Sequence, residues 1–158
     1  EFPTGAQLSG TVEGDFLATE GGFVHLRHVR AVDALESDWV AIAERFVGLP
    51  YVWGGRGGLG YDCPGVLQTA LAACGIAAPR DTDQQELALG EALAPAAELR
   101  RGDMIFFPGH VGLMVDGDTL IHANADAMAV TTEPLADVIA RLKGSYEEPV
   151  TSRRRISI

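Results

Sequence analysis

Between Leu49 and Gly65 the chain reads LPYVWGGRGGLGYDCPG, and this stretch limits the fold more than any other. It holds six of the nineteen glycines and one of the two cysteines, Cys63, directly before Pro64. The run that follows, GVLQTALAACG, has helical spacing: Val66, Leu67, Ala70, Leu71 and Cys74 fall on one stripe, and Gly75 is a natural stop. Proline is favoured at the first helical position, where its missing N–H is not needed, so Cys63 is predicted to cap this helix. A helix start carries partial positive charge that stabilises a thiolate and a developing oxyanion, so a lowered thiol pKa is expected. The glycines permit tight turns and close approach by another backbone, as a substrate peptide would require. The competing reading makes Cys63 a small buried hydrophobe behind a long turn. Cys74, on the apolar stripe, is expected in the core.

A thiol nucleophile needs a proton acceptor and a group that orients it. Of the four histidines, His25 and His28 have no partner pattern and are expected at the surface. His110 and His122 are related by a hairpin. If its loop is Asp116, Gly117 and Asp118, then Val115 faces Thr119, Gly112 faces His122 and His110 faces Asn124, and both imidazoles share one sheet face as diagonal neighbours. Gly112 would leave room for an imidazole to lean across. A two-residue loop would place the rings on opposite faces. On the first register, Cys63 attacks, His110 takes and returns its proton, and His122 holds the His110 ring. A zinc site built from the same Cys and two His is the rival use; no metal or other cofactor is expected.

Around this centre the chain reads as α+β. Residues 1–30 suggest two or three short strands, too few to stand alone, and 31–37 form a polar connector. Ser37 or Asp38 can cap a helix over WVAIAERFVG, and Asp81 or Thr82 another over DTDQQELALG. Beyond residue 100 the period changes to strands at GDMIFFPG, HVGLMV and TLIHAN. A helix or single turn follows at TEPLADVIARLKG, and VTSRRRISI closes the chain as a strand. Asp103 is expected to serve a turn, and Arg153–Arg155 to form a solvated strand edge. Net charge is −10, from 22 acids against 12 bases, which argues against a nucleic-acid partner. No apolar run approaches the ~18 residues of a membrane span, and two cysteines make no disulfide framework.

The segments PYVWGG, GYDCPG, RRGDMIFF, GHVGLMV and LIHA, in that order, resemble the NlpC/P60 cysteine peptidases of bacterial cell-wall metabolism over about residues 38–128. The resemblance implies a papain-like fold, with helices packed on a small antiparallel sheet, in a catalytic domain spanning 38–158. It implies Cys63, His110 and His122 as the catalytic residues. It also implies cleavage of peptidoglycan stem peptides or murein-derived peptides, commonly at the γ-D-glutamyl–diamino acid bond. Residues 1–30 look like the last part of a bacterial SH3-type domain that is otherwise missing or truncated.

Relatives usually read Asp-Cys-Ser-Gly where this chain has Asp62-Cys63-Pro64-Gly65. In the amine-recognising relatives the Asp and Ser flanking the Cys help bind the substrate's ammonium. Asp62 remains, but Pro64 has neither hydroxyl nor N–H, so recognition of a free L-Ala amine is in question. Tyr51 matches a family Tyr near the thiol and, with the Cys63 N–H, is a candidate oxyanion donor; ordinary packing is its other reading. Trp53 is expected as core or pocket wall. Arg56 is a candidate for a substrate carboxylate, or a solvated loop residue. The functional expectation is an endopeptidase acting through a Cys63 thioester. The alternatives are an amidase or acyltransferase on a related acyl group, and a catalytically silent wall-peptide binding module. Cytoplasmic wall-peptide recycling is the expected setting, with the cell envelope or secretion as the alternative.

Overall fold

A computed structural model describes residues 5–157. Three short strands, β1 (Thr11–Glu13), β2 (Phe16–Thr19) and β3 (Gly22–His25), form an antiparallel sheet in the order β1-β2-β3. Its Val12 and Phe23 are exposed, as is His28, while His25 is half-buried. The connector then folds back on the main body: Glu36 N–H donates to the Ala73 carbonyl, and Arg30 pairs with Glu36 at 2.8 Å.

Helix α1 (Trp39–Glu44) begins where Asp38 Oδ1 accepts the N–H groups of Val40 and Ala41, so Asp38 rather than Ser37 is the cap. A two-stranded turn, β4 (Arg56–Gly57) and β5 (Gly60–Tyr61), precedes α2 (Cys63–Ala73). Helix α3 (Thr82–Ala88) is followed by β6 (Glu91–Ala92), β7 (Met104–Phe107), β8 (His110–Met114), β9 (Thr119–Asn124) and β10 (Ala129–Pro134). Helix α4 (Leu135–Leu142) and β11 (Ser152–Arg155) complete the main body. The larger sheet runs β10-β9-β8-β7-β11-β6 and is antiparallel throughout. This is the α+β layout expected. The expected closing strand is shorter than its sequence segment, and residues 1–4 and 158 of the expected elements lie outside the described residues.

Both faces of the sheet are covered, which is why β7 reads MIFF without polar alternation. Met104 and Phe106 join Val111, Leu113 and Ile121 against Val66, Leu67, Ala70 and Leu71 of α2. Ile105 and Phe107 pack on the other side with Met114 and Leu120 under Leu135 and Val138 of α4. Strand β10 was absent from the sequence expectations. It ends at Pro134, the N-cap of α4, so the expected helix at 132–144 is a strand end followed by a helix.

Three further expectations are corrected. Cys74 is not core: α2 ends at Ala73, and Cys74 is a half-exposed C-cap beside left-handed Gly75. Asp103 does more than serve a turn. It is wholly buried and takes both Nε and Nη2 of Arg155 at 2.7 Å, in addition to the Arg100 N–H. Arg155 is thereby drawn out of the solvated edge expected for it, tying β11 to the entrance of β7.

Candidate active site

The glycine-rich loop packs against the start of α2. A Cβ on Gly65 would stand 2.2 Å from the Gly55 carbonyl oxygen, and Gly60, at φ +143°, lies against the Pro50 carbonyl. The backbone that these two glycines accommodate is the chain's own.

Asp62, and not Cys63, caps the helix: Asp62 Oδ1 accepts the Gly65 N–H at 2.8 Å, and Cys63 is the first helical residue. Asp62 Oδ2 accepts the Gly54 N–H at 2.8 Å and Arg80 Nη2 at 2.6 Å. Gln85, wholly buried on α3, donates to the carbonyls of Pro64 and Pro79 and braces the first turn of α2.

The Cys63 thiol is buried at 7 % exposure. Burial pushes its pKa up to about 11, and the Asp62 charge adds to the rise. The Val111 N–H, the Thr82 hydroxyl and the Cys63 N–H act the other way without offsetting it. The lowered thiol pKa expected at a helix start is therefore overturned, because desolvation exceeds the few hydrogen bonds that favour the thiolate.

The hairpin between β8 and β9 has the three-residue loop. Leu113 faces Ile121, Met114 faces Leu120, and Val115 N–H donates to the Thr119 carbonyl. Asp116 Oδ1 closes the turn by accepting the N–H groups of Asp118 and Thr119. His110 Nε2 and His122 Nδ1 are 2.7 Å apart, so the two rings expected on one face are directly hydrogen-bonded. The space over Gly112 is filled by the Leu120 side chain rather than by an imidazole. Burial, reinforced by His122, pushes His110 down to about 3, and burial also lowers His122. Both rings are neutral near pH 7.

A cavity of about 410 Å³ opens beside Cys63, and neither His110 nor His122 is among the residues that line it. Cys63, Tyr51, Arg80, Thr82 and Phe107 line it, and Phe107 packs on His110 with ring centroids 5.7 Å apart. Burial, then the charges of Cys63 and Asp62, push the Tyr51 hydroxyl pKa up, and all three residues line the cavity. Trp53 lines the cavity at 87 % exposure; it is a wall and not core. Arg56 is not brought to the cavity lining: its Nη1 donates to Gln68 Oε1 at 2.9 Å. Among the described residues, no group of three or more His, Cys, Asp or Glu could hold a metal ion.

Sequence reasoning missed Arg80, Thr82, Glu133 and Arg141. Glu133 Oε1 lies 2.7 Å from His122 Nε2, and Arg141 donates to both Glu133 oxygens at 2.8 and 2.9 Å. The available signal was the period-2 pattern at Thr131 and Glu133, which puts both on one face of a strand.

The sequence profile of the NlpC/P60 family matches residues 48–151. A curated relative from Bacillus subtilis (strain 168), named gamma-D-glutamyl-L-lysine dipeptidyl-peptidase, is 30 % identical over 88 % of this chain and 52 % of its own length. The Mycobacterium tuberculosis protein named peptidoglycan endopeptidase RipB is 34 % identical over 56 % of this chain and 43 % of its own. The chain thus spans about half the length of the curated relatives it matches. Among solved structures, an NlpC/P60 family protein from Bacillus cereus superposes with TM-score 0.74 at 26 % identity, over 94 % of this chain and 53 % of that one. The peptidoglycan hydrolase RipB does so with TM-score 0.61 at 29 % identity, over 76 % and 63 %.

Proposed function

The chain belongs to the NlpC/P60 family, and on that premise we propose that it is a cysteine peptidase acting on peptidoglycan-derived stem peptides at the γ-D-glutamyl–diamino acid bond. One observation carries the reading. His110, hydrogen-bonded to His122, opens β8, and the next residue, Val111, packs in the same core cluster as the buried Cys63, which lines the cavity. The Bacillus subtilis relative's being named a gamma-D-glutamyl-L-lysine dipeptidyl-peptidase supports the choice of bond. The three strands preceding Arg30 are read as part of an SH3-type domain.

In this reading Cys63 and His110 rest as a neutral pair, since burial raises one pKa and lowers the other. Proton transfer from Sγ to His110 Nδ1 therefore accompanies attack of Sγ on the scissile carbonyl carbon. The oxyanion is received by the Cys63 N–H and the Tyr51 hydroxyl. Collapse breaks the C–N bond, and His110 returns the proton to the leaving amine. Water, deprotonated by His110, then cleaves the thioester and the thiol is restored. Trp53 forms an outer wall of the site.

Mass spectrometry of products from a panel of muropeptides tests this. Cleavage after γ-D-glutamate, abolished in Cys63→Ala and by iodoacetamide but not by EDTA, is the expected result. Comparable turnover by Cys63→Ala would remove the proposed nucleophile. Faster action on short soluble fragments than on intact sacculi is expected if the enzyme serves recycling in the cytoplasm.

A further inference from the structure

We propose that Glu133 is a positioning residue that sets the direction of the whole imidazole relay: its carboxylate holds the His122 proton on Nε2, and so leaves Nδ1 of His110 free to accept a proton. The inference rests on the peptidase reading for its use, but not for its geometry.

The register creates the juxtaposition. Thr131 faces His122 across β9 and β10, and Glu133, two residues further along, lies on the same face as its diagonal neighbour. Arg141, on the helix that begins directly after β10, closes over the carboxylate with two N–H groups. An ionised carboxylate can only accept hydrogen bonds. Arg141, the largest influence on Glu133, keeps it ionised. At 2.7 Å from Glu133 Oε1, His122 Nε2 must therefore carry the hydrogen.

A neutral imidazole protonated on Nε2 has a lone pair on Nδ1. His122 Nδ1 then accepts from His110 Nε2 at 2.7 Å, so His110 also carries its hydrogen on Nε2. Its remaining nitrogen, Nδ1, is a lone pair able to take the thiol proton. With His122 in the other tautomer, its Nδ1–H would donate to His110 Nε2. That would force the His110 hydrogen onto Nδ1 and remove the acceptor.

Among the described residues the competing neighbour is Asn124, with Nδ2 3.0 Å from His122 Nε2. Its amide is oriented by the Ala127 N–H on Oδ1, and Nδ2 donates to Thr131 Oγ1 at 2.8 Å. A charge-assisted bond at 2.7 Å outweighs a neutral contact at 3.0 Å, so the carboxylate decides the tautomer.

The test is nitrogen NMR of the histidine-labelled full chain, together with steady-state kinetics of Glu133→Gln and Glu133→Asp. In the wild type, Nε2 of both His110 and His122 should be protonated and both Nδ1 atoms bare. Glu133→Gln can offer an amide N–H to His122 Nε2 and should move hydrogen to Nδ1. The expected cost is about 100-fold in kcat with little change in KM, partly rescued in Glu133→Asp. A wild-type His122 protonated on Nδ1 would overturn the proposal, whether or not the variants fold. So would a folded Glu133→Gln with unchanged tautomers and kcat. If the wild type cleaves no muropeptide, the peptidase reading fails, while the ring-nitrogen signals still decide where Glu133 holds the proton.

Discussion

Arg80 Nη2 stands 2.6 Å from Asp62 Oδ2, so the carboxylate next to Cys63 is already paired within the protein. Its other contacts are the N–H groups of Gly54 and Gly65. The pairing holds Arg80 at the cavity and cancels the charge that a substrate ammonium would seek. Pro64 removes the hydroxyl and N–H that a serine would supply. Hydrolysis should therefore discriminate little between stem peptides with a free and an acetylated L-Ala amine, with kcat/KM values within about threefold. A charged hydrogen bond is worth about 1.5–3 kcal/mol, or at least about tenfold. A preference of that size for the free amine would mean that Asp62 still receives it. Pro64→Ser with Arg80→Gln should create such a preference.

The reactivity of Cys63 follows from its burial. With the thiol raised to about 11 and His110 lowered to about 3, the thiolate fraction at neutral pH is small and grows tenfold per pH unit. In a Cys74→Ser background, which removes the half-exposed second thiol, the iodoacetamide rate should climb with a logarithmic slope near 1 from about pH 7 to 9. A plateau below pH 8 would reveal a resting thiolate–imidazolium pair and contradict the neutral resting state.

The contrast between that result and the sequence shows which physics is local. The Asp116–Asp118 loop and the sharing of one face by His110 and His122 were legible, because turn chemistry and strand period are written in neighbouring residues. The helix starting near Cys63 was legible too, though its cap was displaced by one position to Asp62. The thiol pKa was not. Partial charge at a helix end is local, whereas desolvation is imposed by the core packed around Cys63, which includes residues as distant in sequence as Leu113, Ile121 and Ala123. Cys74 failed for a related reason: a stripe counted along a helix says nothing about where the helix stops. Glu133 and Arg141 reach His122 only through the β9–β10 pairing and the return of α4, neither of which a motif records.

Stability should peak between the ordinary pKa values of the buried thiol and imidazoles. His110 and His122 are depressed in the folded state, so below about pH 6.5 the unfolded chain binds protons that the folded chain resists, and stability falls with falling pH. Cys63 is raised, so its contribution is intact below its ordinary value of 9.0 and is lost as pH rises from there towards about 11. Thermal midpoints measured from pH 4 to 10.5 should therefore form a plateau between roughly 6.5 and 9. A midpoint that rises steadily above pH 9 would contradict the buried neutral thiol.

Gly65 offers the sharpest test of how the loop positions the site. On helix propensity alone, Gly65→Ala should stabilise α2 by about 1 kcal/mol. The new Cβ, however, would stand 2.2 Å from the Gly55 carbonyl oxygen and 2.7 Å from Asp62 Oδ1. The first neighbour is backbone, tied down where Gly55 O accepts the Asp62 N–H at 3.0 Å, and it cannot swing aside as a side-chain tip could. Overpacking against such a neighbour costs about 1–3 kcal/mol, and shifting Asp62 sacrifices part of a cap worth about 1 kcal/mol. The clash wins, so Gly65→Ala should lower unfolding free energy by about 1–3 kcal/mol and reduce turnover as the start of α2 moves. Gly117→Ala is the control: its Cβ meets only the Leu99 carbonyl oxygen at 3.4 Å, and its stability should change by less than about 0.5 kcal/mol. Urea unfolding of the two variants distinguishes the outcomes, and a Gly65→Ala protein more stable than wild type would mean that the loop does not rest on the helix start.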